Sequence, residues 1–366
     1  MPVARKHLSA GLLLVWLGML ACSLPALPAP DAEPSAQQPN PNATLLPAFQ
    51  FTLTHAALTS TAPVPTEPLT STPTTEPSST PVPSDTPVPP TPTPPPTETP
   101  LPTPLPPPVV FAAIGDYGTG DGNAEAVANL VHSWNPDLVI TLGDNNYPVG
   151  GADTIDRAIG RFYHDFIHPY GGSFGAGAAY NRFFPSLGNH DLNTDAGAPY
   201  FNYFILPGNE RYYDFIWGPV HFFCVNSNDS EPDGVGETSP QAVWLQNGLF
   251  NSLSAWNVVY FHFPPYSSGP HGPTAWMQWP FAAWGADLVL SGHDHTYERL
   301  DVGGIPYIVN GMGGFSIYSF EEISPYSLVR YNARHGALRV EASDQRLLIQ
   351  FITRDGAVID TYEMWK

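Results

Sequence analysis

Across residues 109–290 the chain alternates short apolar runs with longer stretches of helical spacing. Most of these runs stop at a glycine and a polar residue. Residues 109–114 halt at Gly115-Asp116, residues 137–142 at Gly143-Asp144, and residues 183–187 at Gly188-Asn189-His190-Asp191. The run 286–290 leads into Gly292-His293-Asp294-His295. Short β-prone runs bounded by turn formers predict strands. Between them, residues 122–134 carry Ala126, Leu130 and Val131 at helical intervals, and residues 154–166 carry Ile155, Ile159, Phe162 and Phe166 on one side of a predicted helix. Further on, the pattern predicts a hairpin over 213–226, a helix near 240–253, a strand over 258–262 and a helix near 274–284. The early alternation indicates an α/β fold. The closing strands, 305–309, 337–343, 347–354 and 357–364, predict a second, largely antiparallel sheet. In open α/β sheets, sites lie beyond the carboxyl ends of strands, where these polar residues fall.

The first hundred residues break this pattern. Arg5, Lys6 and His7 precede an apolar run over 12–21, which is the layout of a secretory signal and too short to span a bilayer comfortably. The run ends Met19-Leu20-Ala21-Cys22-Ser23, which resembles the lipobox of bacterial lipoproteins. Residues 23–108 are mostly Pro, Thr, Ser and Ala with few charges and cannot bury a core, so they read as a disordered stalk. The expected organisation is a signal segment at 1–22, a linker at 23–108 and one domain at 109–366. Export is expected, to the cell surface or beyond it, with membrane contact only through a lipid on Cys22. The second cysteine, Cys224, lies in an apolar segment and is expected to be a buried free thiol.

Charge narrows the partners. Residues 109–366 hold 11 of the 13 basic and 27 of the 33 acidic residues, a formal net charge of −16. Such a surface repels polyanions, so nucleic acid is not an expected partner, and an anionic substrate needs a local cationic feature. Bound metal is the obvious candidate. The strand ends supply Asp116, Asp144, Tyr147, Asn189, His190, His262, His293 and His295. Carboxylate and phenolate oxygens suit a hard cation, imidazole and amide oxygen suit a borderline divalent one, and one carboxylate can bridge both. In an extended segment His293 and His295 would point roughly the same way.

Five ordered motifs resemble those of the purple acid phosphatases, within the calcineurin-like metallophosphoesterases. They are Asp116-Tyr117-Gly118, Gly143-Asp144-Asn145-Asn146-Tyr147, Gly188-Asn189-His190-Asp191, the His262 segment and Gly292-His293-Asp294-His295. Generic metallophosphoesterases usually carry His two residues after the first Asp, whereas this chain has Gly118 there and Tyr147 three residues after the second Asp. The stretch from His262 to His271 is similar to the small, tartrate-resistant type. The resemblance implies a four-layer α/β/β/α sandwich. It further implies Fe(III) on Asp116, Asp144, Tyr147 and His295, with a divalent Fe, Zn or Mn on Asp144, Asn189, His262 and His293. A hydroxide at the metals would attack phosphorus in line, while His190 or His271 orients the phosphate or protonates the leaving alkoxide. The implied substrate is a small phosphomonoester. A phosphodiester or nucleotide is the alternative on the same site, and an inactive surface binding or structural protein is the alternative of another class.

Other residues carry weaker signals. His164 and His168 stand four apart but lack a third ligand, and His132, His221 and His335 read as structural. Asp191 and Asp294 are expected to orient metal-binding histidines. Trp276, Trp279 and Trp284 suit a buried helix face or a substrate-facing lip. Gly311-Met312-Gly313-Gly314 follows a strand and offers either a close approach to the metals or simple loop freedom.

Overall fold

The computed structural model describes residues 107–366; the expected signal segment, Cys22 and the linker up to residue 106 lie outside them. Two mixed sheets face each other. The first is built from β1 (Val109–Ile114), β2 (Leu138–Thr141), β3 (Phe183–Pro185), β11 (Gly336–Ala342), β12 (Arg346–Thr353) and β13 (Val358–Trp365), in the order β13-β12-β11-β1-β2-β3. The second contains β4 (Tyr213–Trp217), β5 (Val220–Cys224), β6 (Trp256–Tyr260), β7 (Leu288–Ser291), β8 (Tyr297–Val302), β9 (Ile305–Asn310) and β10 (Ser327–Tyr331), in the order β10-β8-β9-β7-β6-β5-β4.

The sequence placed the closing strands in a second, largely antiparallel sheet; β9 does lie in the second sheet, but the structure moves the last three strands to the first. β11 pairs antiparallel with the free edge of β1, so β11 to β13 complete the first sheet. The second sheet has a parallel centre, β5-β6-β7-β9, with antiparallel strands at both edges. β8 and β10 were not anticipated. β8 reads as charged because of Glu298, Arg299 and Asp301, yet Glu298 is fully buried, accepting from the amide and hydroxyl of Ser268, and Arg299 pairs with Asp360.

Strand alternation shows how the layers form. Phe222, Cys224, Val258, Tyr260, Leu288 and Leu290 face the core shared with the first sheet, where Phe111 meets Phe222 edge-on at 4.9 Å. Their neighbours Phe223, Val259, Phe261 and Val289 pack outward against Ala242, Leu245 and Leu249 of α2 (Pro240–Asn251) and Phe281 of α3 (Phe281–Trp284). On the far side, α1 (Gly122–Ser133) buries Val127 and Val131 on the first sheet, each contributing about 1.5–3 kcal/mol. Asp121 caps α1 by accepting from the amides of Asn123 and Ala124. Helix, sheet, sheet and helix therefore stack in four layers.

The predicted helix over 154–166 is a π turn (Asp156–Gly160), a short α turn (Arg161–Tyr163) and a 3-10 turn (His164–Phe166), with Ile155, Ile159, Phe162 and Phe166 all buried. The predicted helix over 274–284 is a 3-10 turn (Ala275–Met277) followed by α3. Cys224 is buried and free, and burial pushes its thiol up to about 12.

Candidate metal centre

β1, β2, β3, β6 and β7 deliver their polar residues to one place, each just past the strand's carboxyl end. Tight backbone crossing makes this possible. Asp116, Asp144 and His293 have φ of 56°, 52° and 70°, a left-handed geometry that costs a non-glycine residue energy and that functional sites retain. A Cβ on Gly188 would stand 2.1 Å from Asp144 Oδ1, and one on Gly292 would stand 2.6 Å from Asp116 Oδ2. Glycine at these two positions lets the loops close on the carboxylates.

The donors fall into two groups that share Asp144. On one side the Tyr147 hydroxyl lies 2.8 Å from Asp144 Oδ2, 3.2 Å from Asp116 Oδ1 and 3.4 Å from His295 Nε2. On the other side His262 Nε2 lies 3.5 Å from Asp144 Oδ1, 3.0 Å from Asn189 Oδ1 and 3.2 Å from His293 Nδ1. The left-handed turn at His293 separates the two histidines of this loop, so they do not point the same way as an extended segment would make them. His293 joins the His262 group and His295 the Tyr147 group.

Backbone carbonyls set the imidazole tautomers. His262 Nδ1 lies 2.8 Å from Leu142 O, His295 Nδ1 2.7 Å from Ser316 O and His190 Nδ1 2.6 Å from Pro148 O. A carbonyl only accepts, so each Nδ1 carries the proton and each Nε2 lone pair turns to the site. Burial, then the surrounding histidines, hold His293 far below the usual histidine range and keep it neutral. Burial pulls His295 down, but the Asp116 carboxylate outweighs it and raises the group. Burial, then the charges of Asp116 and Asp144, push the Tyr147 phenol far upward.

Such a set fits cations. Carboxylate oxygens of Asp116 and Asp144 and a ring nitrogen of His262 all lie within 4.8 Å of one another. Asn189 Oδ1 and His262 Nε2, both acceptors once Nδ1 holds the ring proton, stand 3.0 Å apart, a contact that a cation between them would resolve. Asp116, Asp144, Tyr147 and His295 offer hard oxygens and one nitrogen; Asp144, Asn189, His262 and His293 offer a softer set.

Several expectations change here. Asp191 and Asp294 orient no histidine ring. Asp191 accepts from the Asn145 amide and side chain and from the Gly188 amide, tying the loop after β2 to the loop after β3. Burial, then the charge of Asp144, raises it to about 7. Asp294 accepts from the Ser267 hydroxyl and the His271 amide, fixing the loop that carries His271. His164 and His168 each bond separate backbone carbonyls, Gly160 O and Ala178 O, and do not meet. His132, His221 and His335 bond Phe162 O, Asp214 with Ser252, and Phe315 O, all structural. Gly311 does make a close approach: a Cβ there would meet Asp116 Oδ2 at 2.8 Å.

Four residues at this site had been given no role by the sequence reading. Ser227 Oγ accepts from the amides of His262 and Phe263, Asn145 bonds Tyr117, Thr141, Ser186 and Asp191, Phe315 stacks on Tyr147 at 4.2 Å and Tyr318 on His295 at 4.1 Å. The available signal was position, since they lie three to eight residues beyond a strand end, in the loops that build the site.

Comparison with known proteins bears on the family and the fold. The pattern of the calcineurin-like phosphoesterase family matches residues 109–297, and that of the iron/zinc purple acid phosphatase-like protein C matches residues 304–361. Tartrate-resistant acid phosphatase type 5 of Mus musculus is 25% identical over 295 residues, covering 68% of this chain and 88% of that protein. Fe(3+)-Zn(2+) purple acid phosphatase 12 of Arabidopsis thaliana is 27% identical over 235 residues, covering 56% of this chain and 46% of that one. In fold, the chain is similar to purple acid phosphatase PPD1 from yellow lupin, with a TM-score of 0.57 at 16% identity over 70% of this chain and 54% of that one.

Proposed function

This chain belongs to the calcineurin-like phosphoesterase family and carries a purple acid phosphatase-type C-terminal segment, and from that premise we propose that it hydrolyses phosphomonoesters at a binuclear iron and divalent-metal centre. The observation that carries the reading is Asp144, whose Oδ2 lies 2.8 Å from the Tyr147 hydroxyl while its Oδ1 lies 3.5 Å from His262 Nε2. One carboxylate thus turns an oxygen to each donor group. Asp116, Asp144, Tyr147 and His295 would hold iron; Asp144, Asn189, His262 and His293 would hold the divalent ion. Bound there, the two ions supply the charge that polarises the phosphoryl group and lowers the pKa of a water.

The chain's own groups divide the remaining work. His190 is pinned through Nδ1 to Pro148 O with its ring against Tyr147 at 4.6 Å, and its Nε2 lies 3.9 Å from Asp144 Oδ2, so it is placed to orient phosphate. His271 is exposed, with its ring 4.3 Å from that of His293. Only its backbone amide is tied, to Asp294. A free imidazole at the mouth of the site suits proton delivery to the leaving oxygen. His271→Ala is expected to lower turnover on glycerol phosphate by about 100-fold. The loss on p-nitrophenyl phosphate, whose phenolate leaves without a proton, is expected to be much smaller, with metal content unchanged and the pH profile altered. Equal losses on both esters would remove His271 from that role.

Metal-loaded protein assayed on p-nitrophenyl phosphate and its bis-ester tests the function. Faster cleavage of the monoester is expected. Preference for the bis-ester would make the protein a phosphodiesterase, and no turnover of either by protein holding two ions per chain would leave a surface binding protein.

A further inference from the structure

Beyond the metal donors, the His293 side of the site carries an aromatic surface that the metal chemistry does not use. The Phe263 ring lies 4.3 Å from that of His293, and the Trp276 ring lies 6.1 Å farther out from Phe263. Trp276 is 42% exposed, unlike Trp279, which is buried in the outer core. Exposure here does not mean freedom. The Trp276 indole N–H donates to Ser227 O at 3.0 Å, and the hydroxyl of the same Ser227 accepts from the amides of His262 and Phe263. The flanking backbone is held as well, with the Thr274 amide donating to Pro264 O and the Gln278 side chain to Pro265 O, while Met277 is fully buried. One buried serine therefore ties the indole to the backbone that presents His262. With the polar edge of the ring satisfied, what remains open to solvent is apolar ring surface beside the centre.

We propose that Trp276, set beyond Phe263, is a platform for the aromatic leaving group of an aryl phosphomonoester, and that it makes this protein bind aryl esters more tightly than alkyl ones. The inference rests on the phosphomonoesterase reading above. A rigid aromatic surface loses little conformational entropy when a second ring packs on it, and offset or edge contacts between rings contribute beyond their buried area. An alkyl leaving group of the same charge lacks that contact.

The test uses metal-loaded protein and two non-hydrolysable probes, benzylphosphonate and ethylphosphonate, titrated by calorimetry. Trp276→Ala is expected to weaken benzylphosphonate about three- to tenfold, the range an aromatic contact supplies, and to leave ethylphosphonate unchanged. Trp276→Phe keeps a ring and is expected to retain most of the difference, while metal content stays at the wild-type level in both. KM for phenyl phosphate is expected to rise in Trp276→Ala without a matching rise for glycerol phosphate. Equal weakening of both probes, or of neither, overturns the platform. Wild-type protein that cleaves both esters but binds the two probes alike overturns the platform alone. Metal-loaded protein that binds neither probe and cleaves neither ester overturns the phosphomonoesterase reading, and this inference with it.

Discussion

Asp144→Asn is expected to strip both metal positions and to cut turnover by about a thousandfold or more, since losing charge stabilisation of several kcal/mol at 1.36 kcal/mol per decade spans that range. The carboxylate faces Tyr147 with one oxygen and His262 with the other, and Oδ1 also accepts from the His190 amide at 3.0 Å. An amide keeps the shape but removes the negative charge, and it turns an N–H toward one of the two groups. Folding should survive the change. Asp144 has φ of 52°, and asparagine is among the side chains that best tolerate left-handed backbone. Metal analysis and thermal unfolding of the metal-free protein separate the two effects: fewer than two ions per chain with unchanged metal-free stability is the expected pair. Two tightly held ions and undiminished turnover in the variant would take Asp144 out of the bridge.

The site was legible because strand and turn chemistry announced it. Each parallel strand that feeds the site is a short apolar run, and the glycines after β1, β2, β3 and β7 punctuate those runs just before the donors Asp116, Asp144, Asn189 and His293. What the pattern could not carry was pairing between distant strands. β11 reads as an amphipathic antiparallel strand, and nothing local says that its partner is β1 in the first sheet. β8 was hidden because its polar residues, Glu298 and Arg299, are satisfied only by groups far along the chain, Ser268 and Asp360. The same reason hid the true partners of Asp191 and Asp294. A carboxylate beside a histidine in sequence suggests that it serves that ring, yet these two serve backbone amides of neighbouring loops. The split of His293 from His295 depends on one left-handed residue, a conformation that residue type alone does not declare.

Tyr147→Phe is expected to abolish the visible colour of oxidised, iron-loaded protein while most hydrolysis remains. A phenolate on Fe(III) donates charge into the metal and absorbs in the visible, and a phenyl ring cannot. The structure gives Tyr147 the position for this. Its hydroxyl stands within 3.4 Å of Asp116, Asp144 and His295, and its ring is held between Phe315, stacked at 4.2 Å, and His190 at 4.6 Å. Burial and the two carboxylates push the phenol far above its ordinary range, so the metal-free protein keeps it protonated and only a strong cation would release the proton. No side chain at Gly118 competes for the place. A Cβ on Gly118 would stand 2.2 Å from the Asn145 backbone, so the histidine that generic metallophosphoesterases carry there has no room. Phenylalanine preserves both ring contacts, and Asp116, Asp144 and His295 still offer three donors to the ion, which is why hydrolysis should persist. Iron-loaded wild type is therefore expected to show a broad visible band that vanishes in the variant at equal iron content. Colourless wild-type protein, or a variant with the same band, would show that Tyr147 is no ligand, and its burial beneath Phe315 would then be packing alone.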